Sequence, residues 1–192
     1  MKEFEFTLKF DISNLPIEPS TFIESLEKEG CDDALVGIGK KNRIALQFNR
    51  EAESALNAII SAIKDVERAI PDAKLIEATP DIVGLSDIAE VLNFSRQNMR
   101  KLMLNNISSF PVPVHDGKVS LWHLSNVLTW FKKEKNYAID VQLIDIAKAN
   151  MQLNFIKEVF NLEPVFQSKI VLASKKSSID NYGKALLLSD LF

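Results

Sequence analysis

The 192-residue sequence predicts an α+β chain in three parts. These are a βαββαβ domain over 1–80, a compact unit of short helices and a hairpin over 82–133, and a helical C-terminal region over 137–192. Three observations carry that division. In FEFTLKFDI near the N-terminus, apolar and polar residues alternate, as in a strand with one buried face. From Leu56 to Ile70 the apolar spacing becomes helical. Beyond Pro80 and Asp81, two short helical patterns, an Asp-Gly turn signal and a third helical pattern follow in quick succession.

In the first domain, Phe4, Phe6, Leu8, Phe10 and Ile12 form the apolar face of the first strand. After a loop from Pro16 to Pro19, STFIESLEKEG predicts a helix with Phe22, Ile23 and Leu26 inward and Gly30 as its C-terminal cap. DALVGIG and RIALQF predict two strands joined by Gly39, Lys40, Lys41 and Asn42. Asn49 is expected to cap the next helix, with Glu51 and Glu53 at its positive end. Its expected inward face is Leu56, Ile59, Ile60, Ile63, Val66 and Ile70, with Pro71 as terminator. AKLIEAT supplies the last strand. This order is that of a ferredoxin-like sandwich.

Composition bounds the function classes. Apolar residues at 46% suffice for a core, and charged residues at 26% match a globular chain. No apolar run reaches the roughly 18–20 residues that span a bilayer, and MKEFEFTLKF does not read as a signal peptide. A single cysteine, Cys31, points to a reducing, cytoplasmic setting, here nucleoid-associated. The net charge of −3 is uneven: residues 1–81 hold 10 Lys+Arg against 16 Asp+Glu, and residues 82–133 hold 6 against 3. The basic excess is therefore local to the second unit, and phosphate contact is a local matter.

Within that unit, LSDIAEVLNFSRQNMRKLML predicts helix, turn, helix. Ser86 is expected to cap the first helix with Asp87 in its first turn, and Ile88, Ala89 and Leu92 face inward. Asn93 suits the left-handed conformation of a tight turn. Phe94 plugs the space beneath, and Ser95 caps the second helix, whose inward residues are Met99 and Leu102. Ser95, Arg96, Gln97, Asn98, Arg100 and Lys101 are left as candidate DNA-contacting residues, since Arg reads guanine and Gln or Asn adenine in the major groove. Downstream, Asp116-Gly117 marks a hairpin over 112–122, with His115 and Lys118 expected at its tip. Leu124, Val127, Leu128 and Phe131 close the core beneath.

Ile88, Ala89, Leu92, Asn93, Phe94 and Met99, together with Phe110, Pro111, Pro113, Trp122, Val127 and Trp130, resemble the winged helix-turn-helix proteins of the MerR superfamily. The likeness is to AlpA-like and excisionase-like members and covers residues 82–131. Asn93 departs from the glycine usual there. The leading domain, with GCDDALVGIG, is similar to that of uncharacterised bacterial helix-turn-helix proteins. The resemblance implies double-stranded DNA as partner and a role as transcriptional regulator or architectural recombination factor, with residues 95–104 as recognition helix.

No enzyme chemistry is expected. Two histidines and one cysteine offer no metal-ligand spacing, neither phosphate-loop motif is present, and no cofactor is implied. Cys31, beside Asp32 and Asp33, is a poor nucleophile. RIALQF offers only Phe48, on its core side, so stacking on RNA is not expected. A homodimer is expected, because one small module covers little DNA. AIDVQLIDIAKANMQLNFIKEVFNL, apolar on more than one face, is the helix expected to pack against the body or a second subunit. SKIVLASKKSSIDNYG reads as strand and loop, and KALLLSDLF as a short terminal helix. The alternative function is a protein-binding adaptor, antitoxin-like or phage-associated, meeting its partner at the acidic N-terminal domain.

Overall fold

In the computed structural model, residues 1–15, 19–38 and 42–163 are described. They form six α-helices and two antiparallel sheets. Residues 1–152 make one compact unit, and a second begins at Leu153. The expectations for 164–192 lie outside the described residues.

The first sheet holds β1 (Lys2–Asp11), β2 (Ala34–Gly37), β3 (Arg43–Ala52) and β4 (Lys74–Thr79), in the order β4-β1-β3-β2 with every pair antiparallel. β1 and β3 pair along their whole length, from Lys2 opposite Ala52 to Asp11 opposite Arg43. Their alternation buries Phe4, Phe6, Leu8 and Phe10 with Ile44, Leu46 and Phe48, and Phe6 stacks on Phe48 at 5.3 Å.

A 3-10 turn (Pro19–Phe22) leads into α1 (Ile23–Lys28). Leu26 is its buried residue, whereas Ile23, expected inward, is exposed. Gly30 at φ 99 closes the helix: its amide donates to Glu27 O and that of Cys31 to Leu26 O, the two bonds of a left-handed C-terminal cap.

Two expectations for α2 (Ala55–Ala69) are corrected. Asn49 and Glu51 belong to β3, and the cap is Ser54, whose hydroxyl accepts from the Asn57 amide. β3 extends this far because β1 offers partners as far as Lys2. The buried stripe is Ala55, Ala58, Ile59, Ala62, Val66 and Ala69, while Leu56 and Ile60 are exposed. The helix is thus rolled by about one residue, ~100°, from the expected face. The sheet presents a row of phenylalanines, and alanines opposite them keep the layer at normal packing density.

Arg50 at the end of β3 is 7% exposed and ties the layers together. Its guanidinium donates to both Asp33 oxygens at 2.8 and 2.9 Å, to Asp65 at 2.5 Å, to Ser61 at 3.2 Å and to the Gly30 carbonyl at 2.7 Å. Burial pulls its pKa down, but the Asp33 and Asp65 carboxylates more than offset this and leave it above the usual arginine value. Cys31, 3% exposed, has its thiol pushed up to about 11, first by burial and then by Asp65.

The remaining elements of this unit are β5 (Ile82–Val83), α3 (Leu85–Val91), α4 (Arg96–Asn105), β6 (His115–Asp116), β7 (Ser120–His123), α5 (Leu124–Glu134) and the first part of α6 (Val141–Phe160). The second sheet runs β5-β7-β6. Between the two sheets, Pro80 is half-buried and Asp81 is buried. Asp81 is 1% exposed, its carboxylate meets His123 Nδ1 at 2.6 Å and its carbonyl accepts from Leu124 N at 2.7 Å. The Pro80 carbonyl accepts from Asn150 Nδ2 at 3.2 Å. α6 buries Ile146, Ala147, Ala149 and Asn150, whereas Phe155, Ile156 and Phe160 are exposed. Among the described residues, no helix is long and apolar enough to cross a membrane.

Candidate nucleic-acid interface

α3 begins differently from the expectation. Gly84, not Ser86, is the N-cap, and the Asp87 carboxylate accepts the Gly84 amide at 2.7 Å. Ile88 and Ala89 are buried, and the small Ala89 allows close approach of the following helix. Asn93 stands at φ 54; its amide donates to Glu90 O and that of Phe94 to Ala89 O, so the turn is closed by its own backbone. Phe94 lies beneath the turn, 6.0 Å from Phe131 and 5.5 Å from Tyr137. Ser95 caps α4 by accepting from the Asn98 amide at 3.1 Å. Met99 is fully buried and Leu102 packs against the same core.

This anchoring decides which side chains α4 turns outward. Ser95, Arg96, Gln97, Asn98, Arg100 and Lys101 are all exposed. Arg96 and Arg100 are four apart, as are Gln97 and Lys101, so the three cations and the amide share one face. Among the described residues, Arg96, Arg100 and Lys101 form no ion pair. The first turn of α4 contains no acidic residue and opens instead on Arg96, at the positive end of the helix dipole. α2 and α5 do the reverse: Arg68, Lys132 and Lys133 sit in their last turns, where the dipole favours cations. The charge placement on α4 therefore works against the helix itself.

The hairpin is short. His115 pairs with Leu121 and Asp116 with Ser120, leaving Gly117, Lys118 and Val119 as the turn. Lys118 is at the tip, but His115, expected beside it, belongs to strand β6. Both are exposed. A side chain at Gly117 would come within 2.5 Å of His115 Nε2, so the imidazole leans over the turn. β5 adds a third strand, with Val83 opposite Trp122, that the sequence reading missed.

Beneath the hairpin, the Phe110-Pro111 segment and both tryptophans form one cluster. Phe110 sits 6.0 Å from Trp122 and 5.0 Å from Trp130, and Trp122 Nε1 donates to the Pro111 carbonyl at 3.0 Å. The helix pair and the hairpin therefore share a core. Among the described residues, no group of three or more His, Cys, Asp or Glu is placed to hold a metal ion.

No protein-family model matches the chain, and no curated protein or solved structure matches it either.

Proposed function

We propose that the protein is a sequence-specific DNA-binding regulator, built as a ferredoxin-like N-terminal domain followed by a winged helix-turn-helix. In this reading α4 enters the major groove. Arg96, Gln97 and Arg100 meet base edges, with Ser95, Asn98 and Lys101 at their sides and on the flanking phosphates. Lys118 and His115 on the hairpin meet the adjacent backbone or minor groove.

The observation that carries the reading is the outward face of α4. Three cations stand on it without ion-pair partners among the described residues, one of them at the helix end where the dipole opposes it. Like charges at i and i+4 cost an isolated helix a few tenths of a kcal/mol. A cation at the N-terminus costs ~0.3–1 kcal/mol. Local rules broken at one place and obeyed elsewhere mark a surface selected for a partner, and a polyanion relieves both costs. The assembly is a homodimer reading two half-sites ~10 bp or a multiple apart, with the exposed Phe155, Ile156 and Phe160 of α6 in the dimer contact.

The test is fluorescence anisotropy on duplexes selected from a random pool, over a series of salt concentrations. Wild type is expected to prefer the selected sequence, with affinity falling steeply as salt rises. Arg96→Ala and Arg100→Ala are expected to abolish that preference. A wild type with no preferred sequence, matched by both variants, overturns this reading in favour of a protein-binding adaptor.

A further inference from the structure

The far end of α4 is held by one residue with an unusual number of bonds. Asn106, immediately beyond the helix, donates from Nδ2 to the Leu102 carbonyl at 2.7 Å, satisfying one of the acceptors that a helix end leaves open. Its Oδ1 accepts from Lys135 Nζ at 2.6 Å. Its backbone carbonyl accepts from the amides of Ser109 at 2.9 Å and Phe110 at 2.8 Å, the segment that leads to the hairpin. Lys135 is the C-cap of α5, and its ammonium lies 5.2 Å from the centre of the Trp130 ring, which also packs on Phe110. One residue thus joins three elements: its side chain ties the end of α4 to the end of α5, and its backbone carbonyl holds the approach to the hairpin.

We infer that Asn106 and Lys135 form a positioning clamp that sets the angle at which α4 meets DNA, and that Lys135 is spent on this clamp and is not a phosphate contact. The inference rests on the DNA-binding reading above. Arg100 lies ~7.5 Å along α4 from its capped start, so a tilt of roughly 5° about that start displaces it by ~0.65 Å. That exceeds the ~0.5 Å within which a binding constellation is held, whereas a phosphate contact made by a long flexible side chain absorbs it. The clamp therefore governs discrimination between sequences, and the general attraction to DNA does not depend on it.

The discriminating measurement compares affinity for the selected duplex with affinity for a scrambled duplex, each across a salt series. Asn106→Ala and Lys135→Met, the latter keeping its apolar stem on Trp130, are each expected to lower the specific-to-scrambled ratio by about tenfold, the worth of one lost base contact. The slope of log affinity against log salt on the scrambled duplex is expected to stay at the wild-type value. Lys135→Arg, which retains a donor for Asn106, is expected to restore the ratio. Two results overturn the clamp. One is an unchanged ratio in both variants; the other is a slope reduced by ~0.9 in Lys135→Met, the signature of one lost phosphate contact. Failure of the DNA-binding reading is a separate outcome, seen as a wild type whose ratio is one.

Discussion

Arg50→Met tests the account of the N-terminal layers most directly. Methionine preserves an apolar stem beside Phe48, over whose ring the guanidinium lies at 4.8 Å, and removes the five hydrogen bonds to Asp33, Asp65, Ser61 and Gly30. Breaking a buried ion pair from one side costs ~3–5 kcal/mol because the remaining charge is left uncompensated. Here the lower end applies. The Asp33 side chain is 28% exposed and draws on water, and Asp65 keeps Arg68 at 2.5 Å. A loss of ~3 kcal/mol at ~2–4 °C per kcal/mol gives a melting temperature lower by about 6–12 °C. Urea denaturation followed by far-ultraviolet circular dichroism measures it, with the midpoint shifting and the slope unchanged. A loss below ~1 kcal/mol, the range of surface pairs, would refute the claim that this network acts as a buried tie between α1, α2 and the sheet.

Other expectations follow from the same geometry. Ser54→Ala removes the α2 cap and is expected to cost ~1 kcal/mol, whereas Asn49→Ala, on the exposed face of β3, stays within ~0.5 kcal/mol; equal losses in urea titrations would contradict the assigned cap. Asn93→Val places a β-branched residue at φ 54 and is expected to cost ~1–2 kcal/mol, while Asn93→Gly is neutral or stabilising; calorimetry of the pair checks the sign. The Cys31 thiol, raised from 9.0 to about 11, holds about a hundredfold less thiolate at pH 8 than in the unfolded chain. Iodoacetamide should label it at that pH only after urea unfolding. Because the folded value is the higher one, the protonated thiol's contribution to stability is complete below pH 9 and is lost as pH rises towards about 11. Equal labelling of native and unfolded protein would count against its burial.

The two short helices α3 and α4 and the turn between them were legible because their determinants are local. Ser95, Asn93, Phe94 and the inward Ile88, Ala89 and Met99 lie within a dozen residues, and caps, left-handed turns and helical faces are decided at that range. The alternation in β1 announced a strand for the same reason. The outward side chains of α4 followed once its inward ones were known. What escaped were features decided by distant partners. β3 continues through Asn49 because β1 lies beside it, although Asn49 and Glu51 by themselves suit a helix start. α2 carries apolar residues on two adjacent faces, and only the phenylalanine row of the sheet selects the alanine face for burial. β5 is two residues long and exists because β7 offers it a ladder.

The polar ties show the division most plainly. Arg50 reaches Gly30, Asp33, Ser61 and Asp65; Asp81 reaches His123; Lys135 reaches Asn106. No spacing in the chain encodes these pairs, because a long polar side chain bonds whatever acceptor the packed layers bring within about 3 Å. By itself, the amino-acid sequence determined which segments are helix or strand where the signal is periodic, and which cations α4 displays. Tertiary packing alone decided how far each strand runs, which face of α2 is buried and which buried polar groups meet, since each depends on surfaces that exist only after the layers have closed.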